Sequence, residues 1–281
     1  MTRNSKVILI IVVALVVTGL IFTFPPIAQN PAYHNFADKR GWLGIPNFGD
    51  VMSNLPFLFF GLMGMGAVYL SRTDIFSMDG EHIPWQVFFV GVFLVGFGSA
   101  YYHWEPNNHT LVWDRLPMTI AFMSFFSVVI MERLNEKGGL ALLPVFLIVG
   151  AASVFYWDFT ESLGQGDLRP YALVQFLPML LLPLMFWLLP ARYSGLKYLG
   201  YGLFWYVLAK VLEHFDRGIF AMTGEVISGH TLKHLSASIA VLMMVLYIKK
   251  RKTVYGCTAT QSHQLFYELC HFFPKLLIGQ P

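Results

Sequence analysis

Apolar residues fall into eight long blocks separated by shorter polar links: 7–24, 51–70, 84–103, 112–132, 140–157, 171–189, 196–214 and 229–248. A helix needs about 20 mostly apolar residues to cross a bilayer, so each block predicts one span. The chain is therefore expected to be an all-α, polytopic membrane bundle. Gly61, Gly64 and Gly66 in the second block predict close approach of neighbouring helices, and Pro178 and Pro183 predict kinks in the sixth. The longest link, 29–50, is polar and carries His34, Asp38, Lys39, Arg40, Trp42, Asn47 and Asp50.

Composition agrees with the pattern. Of 281 residues, 56% are hydrophobic and 12% charged, against roughly 25% charged in an ordinary soluble domain. The eight blocks leave no room for a separate soluble domain. Charge adds little beyond this: the formal net charge is +3, and Lys and Arg gather in links and ends rather than in a groove, so nucleic acid is not an expected partner. Arg3 and Lys6 before the first block would also suit a secretory signal, but Pro25, Pro26 and the IAQN that follows offer no small-x-small cleavage site. Residues 1–30 are read as a retained anchor helix and 250–281 as a basic cytoplasmic tail. KKRK at 249–252 reads as a stop to the last span and a contact with lipid head groups. Further along, QLFYELCHFF could lie on the membrane as an amphipathic helix, with Cys257 or Cys270 acylated.

Orientation follows from counting Lys and Arg on the two sides. With the N-terminus inside, twelve lie inside, against four outside: Lys39, Arg40, Arg169 and Arg217. The positive-inside rule puts both termini in the cytoplasm. That choice brings a set of polar residues to the non-cytoplasmic face. Ser99 and His103 close the third block, Asp114 opens the fourth, and His230 and His234 open the eighth.

Residues four apart share one helix face, so His230 and His234 can present two imidazoles to one ion, with His103 as a third. Three protein nitrogens with an open fourth position is the pattern of a catalytic zinc site. Asp114 would serve as general base to the attacking water, and Ser99, one turn before His103, would hydrogen-bond the water or the developing oxyanion. Taken singly, each has a plainer account: an interfacial histidine, a small packing serine, an Asp114–Arg115 ion pair. Five such residues at one membrane face, where ionisable groups are costly, favour a site. Glu213, His214, Asp216 and Arg217 form a further polar cluster, read as an interfacial ion network or a support for the site, and Trp157, Asp158 and Glu161 have the same ambiguity.

SAYYH, WDRLPM and HTLKH resemble the SxxxH, Asp and HxxxH pattern of the alkaline ceramidase family, within a superfamily of seven-helix hydrolases that also holds the adiponectin and progestin receptors. IPNFGDVMSN at 45–54 and RPYALVQFLPM at 169–179 are similar too. The resemblance implies a seven-helix core over 31–249, blocks two to eight, with the first helix an addition. It implies zinc on His103, His230 and His234, catalysis by Ser99 and Asp114, and hydrolysis of ceramide to sphingosine and a fatty acid. Its eukaryotic members would place calcium in the stretch holding Asp38, Trp42, Asn47, Asp50 and Asn54, which here has fewer carboxylates than a cation taking six to eight oxygens prefers. The plainer account is that Asn47, Asp50 and Asn54 cap the second block. A hydrolase of another acyl amide or ester, a receptor with a structural zinc, and a transporter using the histidines as a relay remain alternatives, the last without an internal inverted repeat to support it. Oligomeric state stays open.

Overall fold

A computed structural model describes residues 1–70 and 75–254, so the C-terminal segment QLFYELCHFF, Cys257 and Cys270 lie outside the described residues. Ten α-helices are described: α1 Arg3–Thr23, α2 Phe48–Met52, α3 Leu55–Leu70, α4 His82–Trp104, α5 Asn108–Arg133, α6 Glu136–Ser162, α7 Arg169–Leu188, α8 Leu196–His214, α9 Asp216–Met222 and α10 Gly229–Lys250. Each apolar block is helical. The second is broken at Ser53 and Asn54 into α2 and α3, and a 3₁₀ turn, Pro31–His34, forms in the link before it.

Seven candidate spans are long and apolar enough to cross a membrane, α2 and α3 counting as one, and the chain is an integral membrane protein. The expected eighth, α8, is 19 residues long but is not among them. Lys210 and Glu213 of α8 line an interior cavity, so its polarity is turned inward rather than toward lipid. Elsewhere the outward faces are apolar, with Phe59, Ile148, Phe159 and Trp187 more than half exposed, as a hydrocarbon solvent requires.

The helices pack in the order α8, α10, α3, α4, α5, with α6 and α7 both against α5 and α1 outside α7. Small residues set the closest contacts. A Cβ on Gly61 would stand 2.8 Å from the Phe93 backbone, and one on Gly98 would collide with the Trp113 carbonyl oxygen, so α3, α4 and α5 approach at van der Waals limits there. Gly66, expected to do the same, has open space beside it. Pro178 and Pro183 sit inside a continuous α7. Consecutive in sequence, α7 and α8 make no extended contact with each other, and a cavity of about 390 Å³ lies between the α5–α7 and α8–α10 sides.

At the end of the bundle holding the C-terminus of α10, a buried ionic cluster ties helices together. Arg251 is 2.6 Å from Glu132 Oε1 and 2.8 Å from Glu81 Oε1, all three side chains buried. The Arg251 guanidinium also lies 4.0 Å from the Tyr193 ring centroid. The KKRK run therefore divides: Lys249 and Lys250 are exposed, but Arg251 turns inward and is not the head-group contact expected of it.

Candidate metal centre

The opposite end of the bundle gathers the chemistry. His103 occupies the last turn of α4. A three-residue link, Glu105 to Asn107, returns the chain into α5, whose start is fixed by a capping box between Asn107 and Thr110. Two turns into α5 stands Asp114. Helix α10 begins at Gly229, with the Ser228 side chain accepting the Thr231 N–H, so His230 and His234 fall in its first two turns, one above the other.

His103, His230 and His234 are 0 to 3% exposed. Their ring centroids form a nearly equilateral triangle, 4.8, 4.8 and 4.9 Å on a side. One nitrogen from each lies within 4.8 Å of the others, and His103 Nε2 is 3.3 Å from His230 Nε2. Tetrahedral zinc with Zn–N bonds of about 2.0–2.1 Å has N–N edges of about 3.3–3.4 Å. His234 Nε2 is buried without a hydrogen-bond partner, a cost that native structures rarely leave uncompensated. The donor set fits a zinc ion.

Supporting contacts orient the rings. Ser53 Oγ, at the break between α2 and α3, lies 2.7 Å from His234 Nδ1. The His230 backbone N–H donates to Asp216 Oδ1 at 2.8 Å, and Asp216 Oδ2 accepts from the Ala37 N–H. Phe36, 6% exposed, folds from the long link over the cluster, with its ring 4.7 Å from His103 and 4.3 Å from His230. His34 fastens that link to α4 and α5 through Tyr102 Oη at 2.9 Å and Asn108 Oδ1 at 2.8 Å. An apolar cover of this kind limits water access and lowers the local dielectric. Ser53 and Phe36 carry no local sequence signal; only the fold brings them here.

Asp114 is 7% exposed, and the Ser99 hydroxyl faces its carboxylate within hydrogen-bonding reach. Both line the cavity beside His234. Arg115 does not form the ion pair that was the plainer account of Asp114: among the described residues, its hydrogen bond goes to Gln29 Oε1 at 2.6 Å. Lys210 and Lys233 each stand 2.8 Å from Glu213, which resolves part of the polar cluster on α8 into an inward-facing network. Glu161 accepts from Trp157 Nε1 and from the Gln29 N–H, a structural tie between α6 and the link.

Four of the five residues considered for calcium are held by protein contacts. Burial pushes the Asp38 carboxyl up, but its hydrogen bonds to Arg40 outweigh this and hold it below the usual carboxylate range; both its oxygens are taken by Arg40. Trp42 is 61% exposed. Asn47 precedes α2 in the left-handed region (φ 45°) without capping it, and donates to the His103 carbonyl at 2.8 Å. Asp50 accepts from Ser228 and Thr231, so it braces the start of α10, and the Asn54 amide donates to the Asp50 carbonyl. Asp50 Oδ2 and Asn54 Oδ1 are the buried oxygens left without partners, short of the six to eight that calcium takes. The set does not fit that ion.

A family model described as Ceramidase matches residues 45–186, half of the chain. The match covers Ser99, His103 and Asp114 and stops before α8 and α10. No curated protein matches the chain.

Proposed function

The chain belongs to the ceramidase family, and we propose that it is a zinc-dependent intramembrane amidase that releases a fatty acid from ceramide. Membership supports a ceramide-hydrolysing function in general; zinc, the residue roles and the face of the membrane are our reading. The observation that carries it is the cluster of three buried histidine nitrogens, one of whose members, His234, lines an apolar cavity together with Asp114 and Ser99.

His103, His230 and His234 would hold the ion, leaving one position open. Zinc, when bound, acidifies a water to a pKa of about 7 and polarises a carbonyl. Asp114 takes the proton of the attacking water as general base and returns it to the amide nitrogen as the C–N bond breaks. The amine, sphingosine, leaves and the acyl half becomes a free acid. Ser99 donates its one O–H to the Asp114 carboxylate and holds it in place; once Asp114 has taken the proton, that O–H turns to the oxygen on which charge develops. Phe36 covers the cluster. Acyl chains enter from the bilayer between α7 and α8, where the two helices make no extended contact, and lie against Phe122, Phe176, Leu182, Leu203 and Met244. The positive-inside count over eight crossings, α8 included, supports a non-cytoplasmic position for this end.

The test is zinc content and fatty acid release from ceramide, measured on the purified parent and on Asp114→Asn. About one zinc in each, with release lowered about 10²–10⁴-fold in the variant, supports the roles given. Zinc without release by the parent would move the substrate to another acyl amide or ester, or the protein to a receptor with a structural zinc. A folded, metal-replete sample without zinc would end the mechanism.

A further inference from the structure

The polar end of the cavity holds more positive charge than amide hydrolysis requires. Arg115, Lys210 and Lys233 line it with two carboxylates, Asp114 and Glu213. Both lysines already bind Glu213, and Asp114 faces Ser99. Arg115 is left over. It is 6% exposed, and among the described residues no carboxylate lies within ion-pair distance of it. Its guanidinium is held 4.1 Å from the Trp157 ring and 4.7 Å from the Tyr171 ring. Nη2 donates to Gln29, while Nη1 is buried with no hydrogen-bond partner.

A guanidinium does not lose its proton in a protein, and a buried charged donor without a partner is costly. Aromatic faces fix its plane and leave the N–H edge as the recognition element, which matches phosphate and carboxylate oxygens. Lys233 adds to this. Its Nζ lies 3.1 Å from His230 Nε2, a nitrogen that a bound metal would claim, so that ammonium donor is then available to the same anion.

We propose that Arg115, helped by Lys233, recognises an anionic head group, so that the substrate is a ceramide-type N-acyl lipid whose amine half carries a phosphate, sulfonate or carboxylate. The inference rests on the amidase reading. With the acyl chain in the apolar part of the cavity and the amide beside Asp114, the amine half is the part within reach of Arg115, the residue next to Asp114 in α5.

The experiment compares ceramide with ceramide 1-phosphate of the same acyl chain and base, on the full chain and on Arg115→Gln. The expected result is a kcat/KM for the phosphorylated lipid about tenfold or more above that for ceramide, with the ratio collapsing toward one in the variant. Arg115→Lys, which keeps the charge, should retain part of the preference. Heat stability with dodecyl phosphate is the second measurement: the ligand should raise the melting temperature of the parent more than that of Arg115→Gln. Ceramide hydrolysis without preference, and no selective shift, would overturn the head-group site and leave the amidase standing. No hydrolysis of either lipid, with the selective shift intact, would keep the anion site and end the amidase reading. If Arg115→Gln weakens inhibition by free fatty acid and turnover shows no preference, the anion is the released acid and the proposal fails.

Discussion

Ser53 Oγ and His234 Nδ1 meet at 2.7 Å across 181 positions of sequence. The contact fixes the plane of the imidazole and turns Nε2, the nitrogen without a partner, toward His103 and His230. Ser53 can do this because the second apolar block breaks there, between α2 and α3.

Removing the Ser53 hydroxyl should weaken the metal centre without touching a ligand. Ser53→Ala is expected to lower zinc affinity about 10–100-fold, the usual effect of losing a hydrogen bond to a ligating histidine. Competition with a chromogenic chelator measures it. An unchanged affinity would mean that packing alone orients His234.

Helix proximity at Gly98 should matter more for turnover than for metal binding. The Cβ of Gly98→Ala would meet the Trp113 carbonyl, a backbone atom that cannot swing aside, and would force α4 from α5 where Ser99 faces Asp114. We expect a destabilisation of about 1–3 kcal/mol and a fall in fatty acid release exceeding the fall in zinc content. Parallel losses of both would show that the whole His103 turn moves.

At the other end of the bundle, Arg251→Met leaves Glu81 and Glu132 buried without their cation. Breaking a buried pair in this one-sided way costs about 3–5 kcal/mol, read as a lowered thermal or denaturant midpoint in detergent. A change below about 1 kcal/mol would show that the carboxylates find water or protons at little cost.

Glu81 gives this cluster a pH dependence. Burial first, then the Glu132 charge, push its carboxyl up from 4.5 to about 7, with Arg251 opposing. The folded state therefore holds a proton that the unfolded state has lost between those values, and stability falls as pH rises through that window. The melting temperature should decline from about pH 5 to about pH 7, and Glu81→Gln should flatten the decline. An identical slope in the variant would assign the titration elsewhere.

Much of this was legible before any coordinates. Periodicity and length gave the long helices, though not α9 or the break between α2 and α3, because a span must satisfy its own backbone hydrogen bonds and needs about 20 apolar residues. Alternating direction along successive spans put His103, Asp114 and the His230/His234 pair at one end, and helical spacing put the two histidines on one face. Asp50 was legible as important but not in its role: its place before the second block suggested a cap, and the family resemblance a calcium ligand, whereas its partners are Ser228 and Thr231, some 180 positions away.

What the chain alone determined is therefore what depends on near neighbours: the spans, their order, and the residue types offered at each end. The tertiary structure decided what those residues face. It laid Phe36 over the histidines, gave Asp38 to Arg40, turned Arg251 inward against Glu81 and Glu132, and left Arg115 without an anion. Such pairings depend on distances between elements far apart in sequence, and composition within a window carries no record of them.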